Sequence, residues 1–115
     1  MPPMKWLLTF LLLVPLSAQR RITVLGGYMK AEEFPDLAEP VQDGYARGFI
    51  NGLMISPALG ADHQEVRQFY ECTKEMDSKQ VAAIINKYIK DHPEVWHQGL
   101  AVESLNAILK VCPKH

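Results

Sequence analysis

Apolar residues recur at helical spacing along residues 77–93, and this stretch organises the rest of the chain. They lie three or four positions apart, on one face of a helix: Val81, Ile84, Ile85, Tyr88 and Ile89. Asp77 can accept from the free N–H groups of the first turn while Gln80 reaches back, which is a capping box. Pro93 ends the helix, and Asn86 is predicted to lie with the lysines on its polar side.

Helical periodicity predicts further elements on both sides of this helix. They cover residues 28–34, 40–55, 62–72 and 100–111. Their inner faces are predicted at Val41, Tyr45, Phe49, Leu53, Val66, Phe69, Tyr70, Val102, Leu105, Ile108, Leu109 and Cys112. Loops at 56–61 and 91–99, marked by proline and glycine, connect the helices. The predicted fold is therefore all-α, a single small bundle of four to five helices.

Three glycines recur every four residues in the predicted helix 40–55, at Gly44, Gly48 and Gly52. A glycine inside a helix costs up to about 1 kcal/mol relative to alanine. Such a stripe, beside Tyr45, therefore indicates a groove where another backbone approaches closely. The neighbour is predicted to be a helix of the same chain, and a seam between two copies is the alternative.

The start of the chain has the pattern of an export signal. Residues 1–18 contain Lys5, an apolar run too short to span a bilayer, and small residues ending at Ala18. A buried N-terminal helix is the alternative. Residues 19–27 are predicted to form an N-terminal arm, and residues 28–115 the helical domain. We therefore expect a periplasmic or secreted protein, with no membrane segment after cleavage of the signal peptide.

Charge and cysteine content narrow the class of protein further. The formal net charge of the chain is −1, and this near-balance argues against nucleic-acid binding, which requires clustered cations. The two cysteines, Cys72 and Cys112, bracket the central helix. In an exported chain they favour one disulfide, and two free buried thiols are the alternative.

No catalytic or metal-binding pattern stands out in the sequence. His92 and His97 lie five residues apart, but a zinc site requires three or four ligands, and no third ligand is evident. A disulfide leaves no thiolate for a Cys–His nucleophile, and no serine lies in a G-x-S-x-G sequence. We therefore expect neither enzymatic activity nor a cofactor or metal.

The two predicted loops are candidates for contact with a protein partner. The candidate contact residues are Pro57, Leu59, Val95, Trp96 and His97. Tryptophan is a common anchor in protein interfaces. The alternative for Trp96 is a ring folded back onto the core of the chain itself.

A set of motifs follows in a defined order between residues 28 and 113. It consists of Gly44-Tyr45-x-x-Gly48-x-x-x-Gly52, a cysteine that ends the next helix, Gln80-Val81, Tyr88, His92-Pro93 and Cys112-Pro113. This order resembles the Rap/Tai family of immunity proteins of type VI secretion systems. Many members carry a cysteine shortly before the helix tyrosine, where this chain has Gln42 and Asp43.

The resemblance implies an exported, all-helical, disulfide-containing protein of the periplasm. Family members that are understood bind a peptidoglycan-cleaving amidase delivered by neighbouring cells and block its active site, often as dimers. The implied function is therefore an immunity-type protein that blocks an amidase effector without catalysis of its own. An exported helical adaptor or structural module with an unrelated protein partner is the alternative, because a fold does not determine a function.

Overall fold

The structure is a computed structural model that describes residues 29–112. Within this range the chain forms four α-helices: α1 (Glu39–Ile55), α2 (His63–Thr73), α3 (Ser78–Asp91) and α4 (Leu100–Val111). There are also three 3-10 helices: Ala31–Asp36 precedes α1, and Ser56–Leu59 and Pro93–Val95 lie in the connections. The same residues contain no strand, only an isolated bridge between Lys30 and Gly99. The all-α fold is confirmed.

The N-terminal segments predicted from the sequence are not part of this description. The predicted signal peptide, residues 1–18, and the predicted arm, residues 19–27, lie outside the described residues. Within residues 29–112, no helix is both long and apolar enough to cross a bilayer.

The centre of the fold is α3, which packs against both α1 and α4. Its predicted capping box is confirmed, since Gln80 N donates to Asp77 Oδ1 at 2.8 Å and Asp77 N donates to Gln80 Oε1 at 2.9 Å. Ile85 and Ile89 are completely buried. The start of α3 is thus determined locally, while its apolar face forms the middle of the core.

The chain before α1 is held against the start of α4. Ala31 N donates to Gln98 O at 2.8 Å, and Leu100 N donates to Met29 O at 2.9 Å. These bonds place Phe34 fully inside the core. The prediction of two turns at 28–34 is corrected here, because the observed element is a 3-10 helix that continues through Pro35.

The disulfide between Cys72 and Cys112 is confirmed, with the two Cα atoms 5.9 Å apart. It joins the end of α2 to the residue that follows α4. The bridge spans 40 residues of sequence. In the chain-entropy model, closing a loop of this size raises the free energy of the unfolded chain by about 3–4 kcal/mol and so stabilises the folded state.

Three residues predicted on inner faces are exposed instead. Val41 is 53%, Tyr70 50% and Val102 43% exposed, so none of them belongs to the core. On α4 the buried stripe runs instead through Leu100, Glu103 and Ser104 towards Ala107 and Ile108. The reason is that α4 packs against α3 and the 3-10 helix Ala31–Asp36 together, and both neighbours determine which side is covered.

Candidate functional site

The predicted loop at 56–61 forms a tight, protruding turn between α1 and α2. Its first half is the 3-10 helix Ser56–Leu59, in which Ser56 Oγ donates to Leu53 O at 2.6 Å. Gly60 then adopts a φ of +106°, which glycine tolerates and other residues rarely adopt. Asp62 caps α2 by accepting from Gln64 N at 2.7 Å. The ends of the turn are therefore fixed, while Leu59 at its tip is 89% exposed.

A cleft of about 570 Å³ lies beside this turn and is walled by α1 and α2. Ile55 and Tyr70, which are 64% and 50% exposed, line it from the two helices. Pro57 also lines the cleft and is half-buried. We call the surface formed by Ile55, Leu59, Tyr70 and this cleft the α1–α2 corner.

Charged side chains border the apolar part of the α1–α2 corner. Arg67 and Glu71 line the cleft with Tyr70. Lys74 Nζ lies 2.7 Å from Glu71 Oε2, and its hydrogen bond and positive charge hold the pKa of the Glu71 carboxyl below its usual value. The corner thus has an apolar centre and an ionised rim, the composition that typical protein interfaces have.

The second predicted contact segment, with Val95, Trp96 and His97, lies between α3 and α4. Trp96 Nε1 donates to Ile89 O at 2.6 Å, which satisfies a carbonyl in the last turn of α3. Its ring edge is thereby fixed, although 41% of the side chain stays exposed. Val95 is half-buried and His97 is exposed. The hydrogen bond to Ile89 therefore holds Trp96 in place, while part of its side chain stays accessible to a partner.

Tyr88 and His92 form a stacked pair at the end of α3. Their ring centroids are 4.1 Å apart, and His92 Nδ1 lies 2.6 Å from Tyr88 O. Burial, together with the nearby carboxylates of Glu103 and Glu94, raises the pKa of Tyr88 above its ordinary value. Among residues 29–112, no group of three or more histidine, cysteine, aspartate or glutamate side chains is placed to hold a metal ion.

The glycine stripe of α1 does not pack against another helix of the described chain. Gly44, Gly48 and Gly52 are exposed, and a Cβ added at any of them would meet no described atom within 4 Å. The prediction that the stripe packs closely against another helix is therefore wrong for residues 29–112. Tyr45 does pack, with its ring centroid 5.6 Å from that of Phe34 and 6.2 Å from that of Phe49. A seam between two copies stays a prediction.

A polar relay, which the sequence pattern missed, crosses from the N-terminal segment through α1 to α3. Gln42 Nε2 donates to Phe34 O at 2.8 Å, and Asn86 Nδ2 donates to Gln42 Oε1 at 2.9 Å. Gln42 is only 9% exposed. Asn86 was predicted to lie on the solvent side of α3, but it is half-buried against α1. No local sequence pattern predicts this contact, since Gln42 and Asn86 come together only when α1 packs against α3.

No family model matches the sequence, and no curated protein or solved structure is significantly similar to it. The Rap/Tai resemblance therefore stays a prediction from the order of the motifs.

Proposed function

We propose that this chain is an immunity-type protein of the periplasm that binds and blocks a peptidoglycan amidase effector, with no catalysis of its own. Three features support the proposal. The motif order resembles that of the Rap/Tai family, and residues 1–18 have the pattern of a signal peptide. The closed Cys72–Cys112 bridge fits an oxidising compartment.

The observation that carries the proposal is the exposed apolar tip of the α1–α2 corner. Leu59 and Ile55 are more exposed than any other large apolar side chain of residues 29–112, at 89% and 64%. Exposed apolar side chains grouped beside a cleft are typical of interaction surfaces. An aromatic residue, Tyr70, lines the cleft together with Ile55, and tyrosine is enriched among residues that dominate binding energy.

The proposed mechanism is steric, by insertion of the turn into the active-site groove of the amidase. Gly60 and the Asp62 cap hold the base of the turn in one conformation. A preordered turn loses little conformational entropy when it binds, which favours affinity. Leu59 at the tip would occupy the groove, and the ionised rim with Arg67 and Glu71 would contact its edges.

The test is binding to any cell-wall amidase that is found encoded beside this gene, measured by calorimetry and by protection in periplasmic co-expression. We expect Leu59→Asp to weaken binding by roughly 30-fold or more, which is the loss of a hot spot of about 2 kcal/mol. The matched control is Val102→Asp, because Val102 is also apolar and 43% exposed but lies on α4. Both variants should keep the wild-type unfolding midpoint, since neither side chain is buried.

Two results would contradict the proposal at different levels. If both variants bind the amidase as the wild type does, the α1–α2 corner is not the contact surface. If no linked amidase binds or is neutralised, the immunity function is wrong, and the exported adaptor with another protein partner takes its place.

A further inference from the structure

The disulfide can be reached from solvent at one of its two cysteines. Both cysteines line a cleft of about 450 Å³ that is walled by α2 and by the end of α4, with Arg67 and Val111 among its other residues. Cys112 is 8% exposed, whereas Cys72 is half-buried. Thiol–disulfide exchange requires that an incoming thiolate reach one of the two sulfur atoms. The difference in exposure therefore indicates that a reductant meets Cys72 first.

The helix that this bridge holds has few other ties to the core. Among residues 29–112, Phe69 is the one α2 side chain in the buried core cluster, and the half-buried Cys72 packs against that cluster. Val66 is buried as well, but it lines the cleft of the α1–α2 corner. Thr73 Oγ1 donates to Phe69 O at 2.7 Å, a bond that stays within α2. By contrast, four apolar residues of α3 are buried in the core.

The other helices pack against one another without α2. The central helix α3 contacts α1, α4 and the 3-10 helix Ala31–Asp36, and α4 contacts that 3-10 helix too. The helix α2 has 11 residues, and isolated helices shorter than about 12–15 residues are only marginally stable in water. Elements with few buried contacts open locally while the rest of a protein stays folded. Once the bridge is broken, α2 is therefore the helix that is released most easily.

We propose that the Cys72–Cys112 bridge is a redox switch, whose reduction by a dithiol releases α2 while α1, α3 and α4 stay folded. The release dismantles the α1–α2 corner, because Arg67 and Tyr70 both lie on α2. The release itself does not depend on any partner. The consequence for amidase binding rests on the proposed function.

The reaction is an exchange in two steps. A thiolate of the dithiol attacks Sγ of Cys72, forms a mixed disulfide with it and expels Cys112 as a thiolate, which takes a proton from water. The second thiol of the reductant, as its thiolate, then attacks the reductant sulfur of the mixed disulfide. This step expels Cys72 as a thiolate, which is protonated in turn. The dithiol is oxidised to its own disulfide, and the protein gains two electrons and two protons.

The test is amide hydrogen exchange of the full wild-type chain, measured on the oxidised protein and again after reduction with dithiothreitol. After reduction we expect the amides of Phe69 and Tyr70 to exchange within about tenfold of the unfolded-chain rate, whereas those of Ile85 and Ile89 should stay protected by at least about 100-fold. In the oxidised chain both groups should be protected. The comparison uses the wild-type chain, so it does not depend on any variant folding.

The double variant Cys72→Ser with Cys112→Ser is the matched control for the reductant. It should show the exchange pattern of the reduced wild type without dithiothreitol, and adding dithiothreitol should not change that pattern. An α2 that stays protected in this variant would show that packing alone holds the helix, which would overturn the proposal.

A second measurement tests the point of attack. Glutathione has one thiol, so its mixed disulfide with the protein can be trapped by alkylating the cysteine that is set free. Peptide mass spectrometry then shows which cysteine carries glutathione. We expect adducts on Cys72 to exceed those on Cys112 at least about tenfold, because exchange follows access to the sulfur. Equal amounts, or an excess on Cys112, would overturn the assignment of Cys72 as the sulfur attacked.

Two exchange patterns of the reduced wild type would overturn the switch. If α2 stays as protected as α3, the bridge is not what holds the helix. If α2 and α3 lose protection together, the bridge supports the whole fold and not one surface. Amidase binding is measured separately on the oxidised and reduced chains. Release of α2 with no amidase bound in either state would support the switch and count against the proposed function.

Discussion

Gln42 connects three parts of the molecule through one side chain. Its amide nitrogen donates to the carbonyl of Phe34, and its amide oxygen accepts from Asn86 on α3. Water has little access to the first contact, because Gln42 is 9% exposed and Phe34 is fully buried, and the second is partly buried. Such bonds are worth more than exposed ones, since their loss leaves partners unpaired away from solvent.

At this scale we expect Gln42→Met to lower the free energy of unfolding by about 1–3 kcal/mol. Methionine fills a similar volume, so the loss comes from the unpaired Asn86 Nδ2 and from the Phe34 carbonyl, which keeps only its bond from Leu37 N. The control is Gln64→Met on α2, an exposed position where the change should stay within about 0.5 kcal/mol. Denaturant unfolding measures both values, and equal stability of the two variants would show that the relay contributes nothing.

At the scale of the element, the glycine stripe of α1 faces away from the described core. The helix α1, with Gly44, Gly48 and Gly52 on its exposed side, bears the entropic cost of glycine without close packing against any of residues 29–112. Space for a side chain is therefore available at each of these positions.

We expect Gly48→Ala to stabilise the protein by about 0.5–1 kcal/mol, since alanine is the better helix former and meets no described neighbour. The control is Gly60→Ala, which should destabilise by about 1–2 kcal/mol because Gly60 has a φ of +106°. Thermal unfolding of both variants tests the pair. A destabilised Gly48→Ala, with a changed mass by light scattering, would instead indicate that two copies meet along the stripe.

The helices themselves follow from local signals, whereas their orientation does not. The bounds of α3 and α4 and the caps Asp77 and Asp62 agree with the prediction, because spacing and capping act within a few residues. The exposure of Val102 and the burial of Glu103 were not predictable in the same way. Rotation of a helix about its axis depends on neighbours far away in sequence.

At the scale of the whole molecule, the disulfide ties α2 to the rest of the fold. The helix α2 makes fewer contacts with the other elements than α3 does, and Cys72 anchors its end to Cys112 after α4. The disulfide therefore covalently anchors α2, one of the two helices that form the α1–α2 corner.

We expect replacement of both cysteines, Cys72→Ser with Cys112→Ser, to lower the free energy of unfolding by about 3–4 kcal/mol in oxidising buffer. In reducing buffer the variant and the reduced wild type should unfold at nearly the same midpoint. Equal midpoints in oxidising buffer would contradict a stabilising bridge.

From the sequence alone, the bounds of α1 to α4 and the all-α fold could be predicted, and one disulfide was favoured. Periodicity and caps operate within one or two helical turns, and two cysteines allow one pairing. The outward orientation of the α1 glycines and the contact of Gln42 with Asn86 across 44 residues of sequence are seen only in the folded chain. Those facts depend on how helices pack against one another, which no short stretch of the chain encodes.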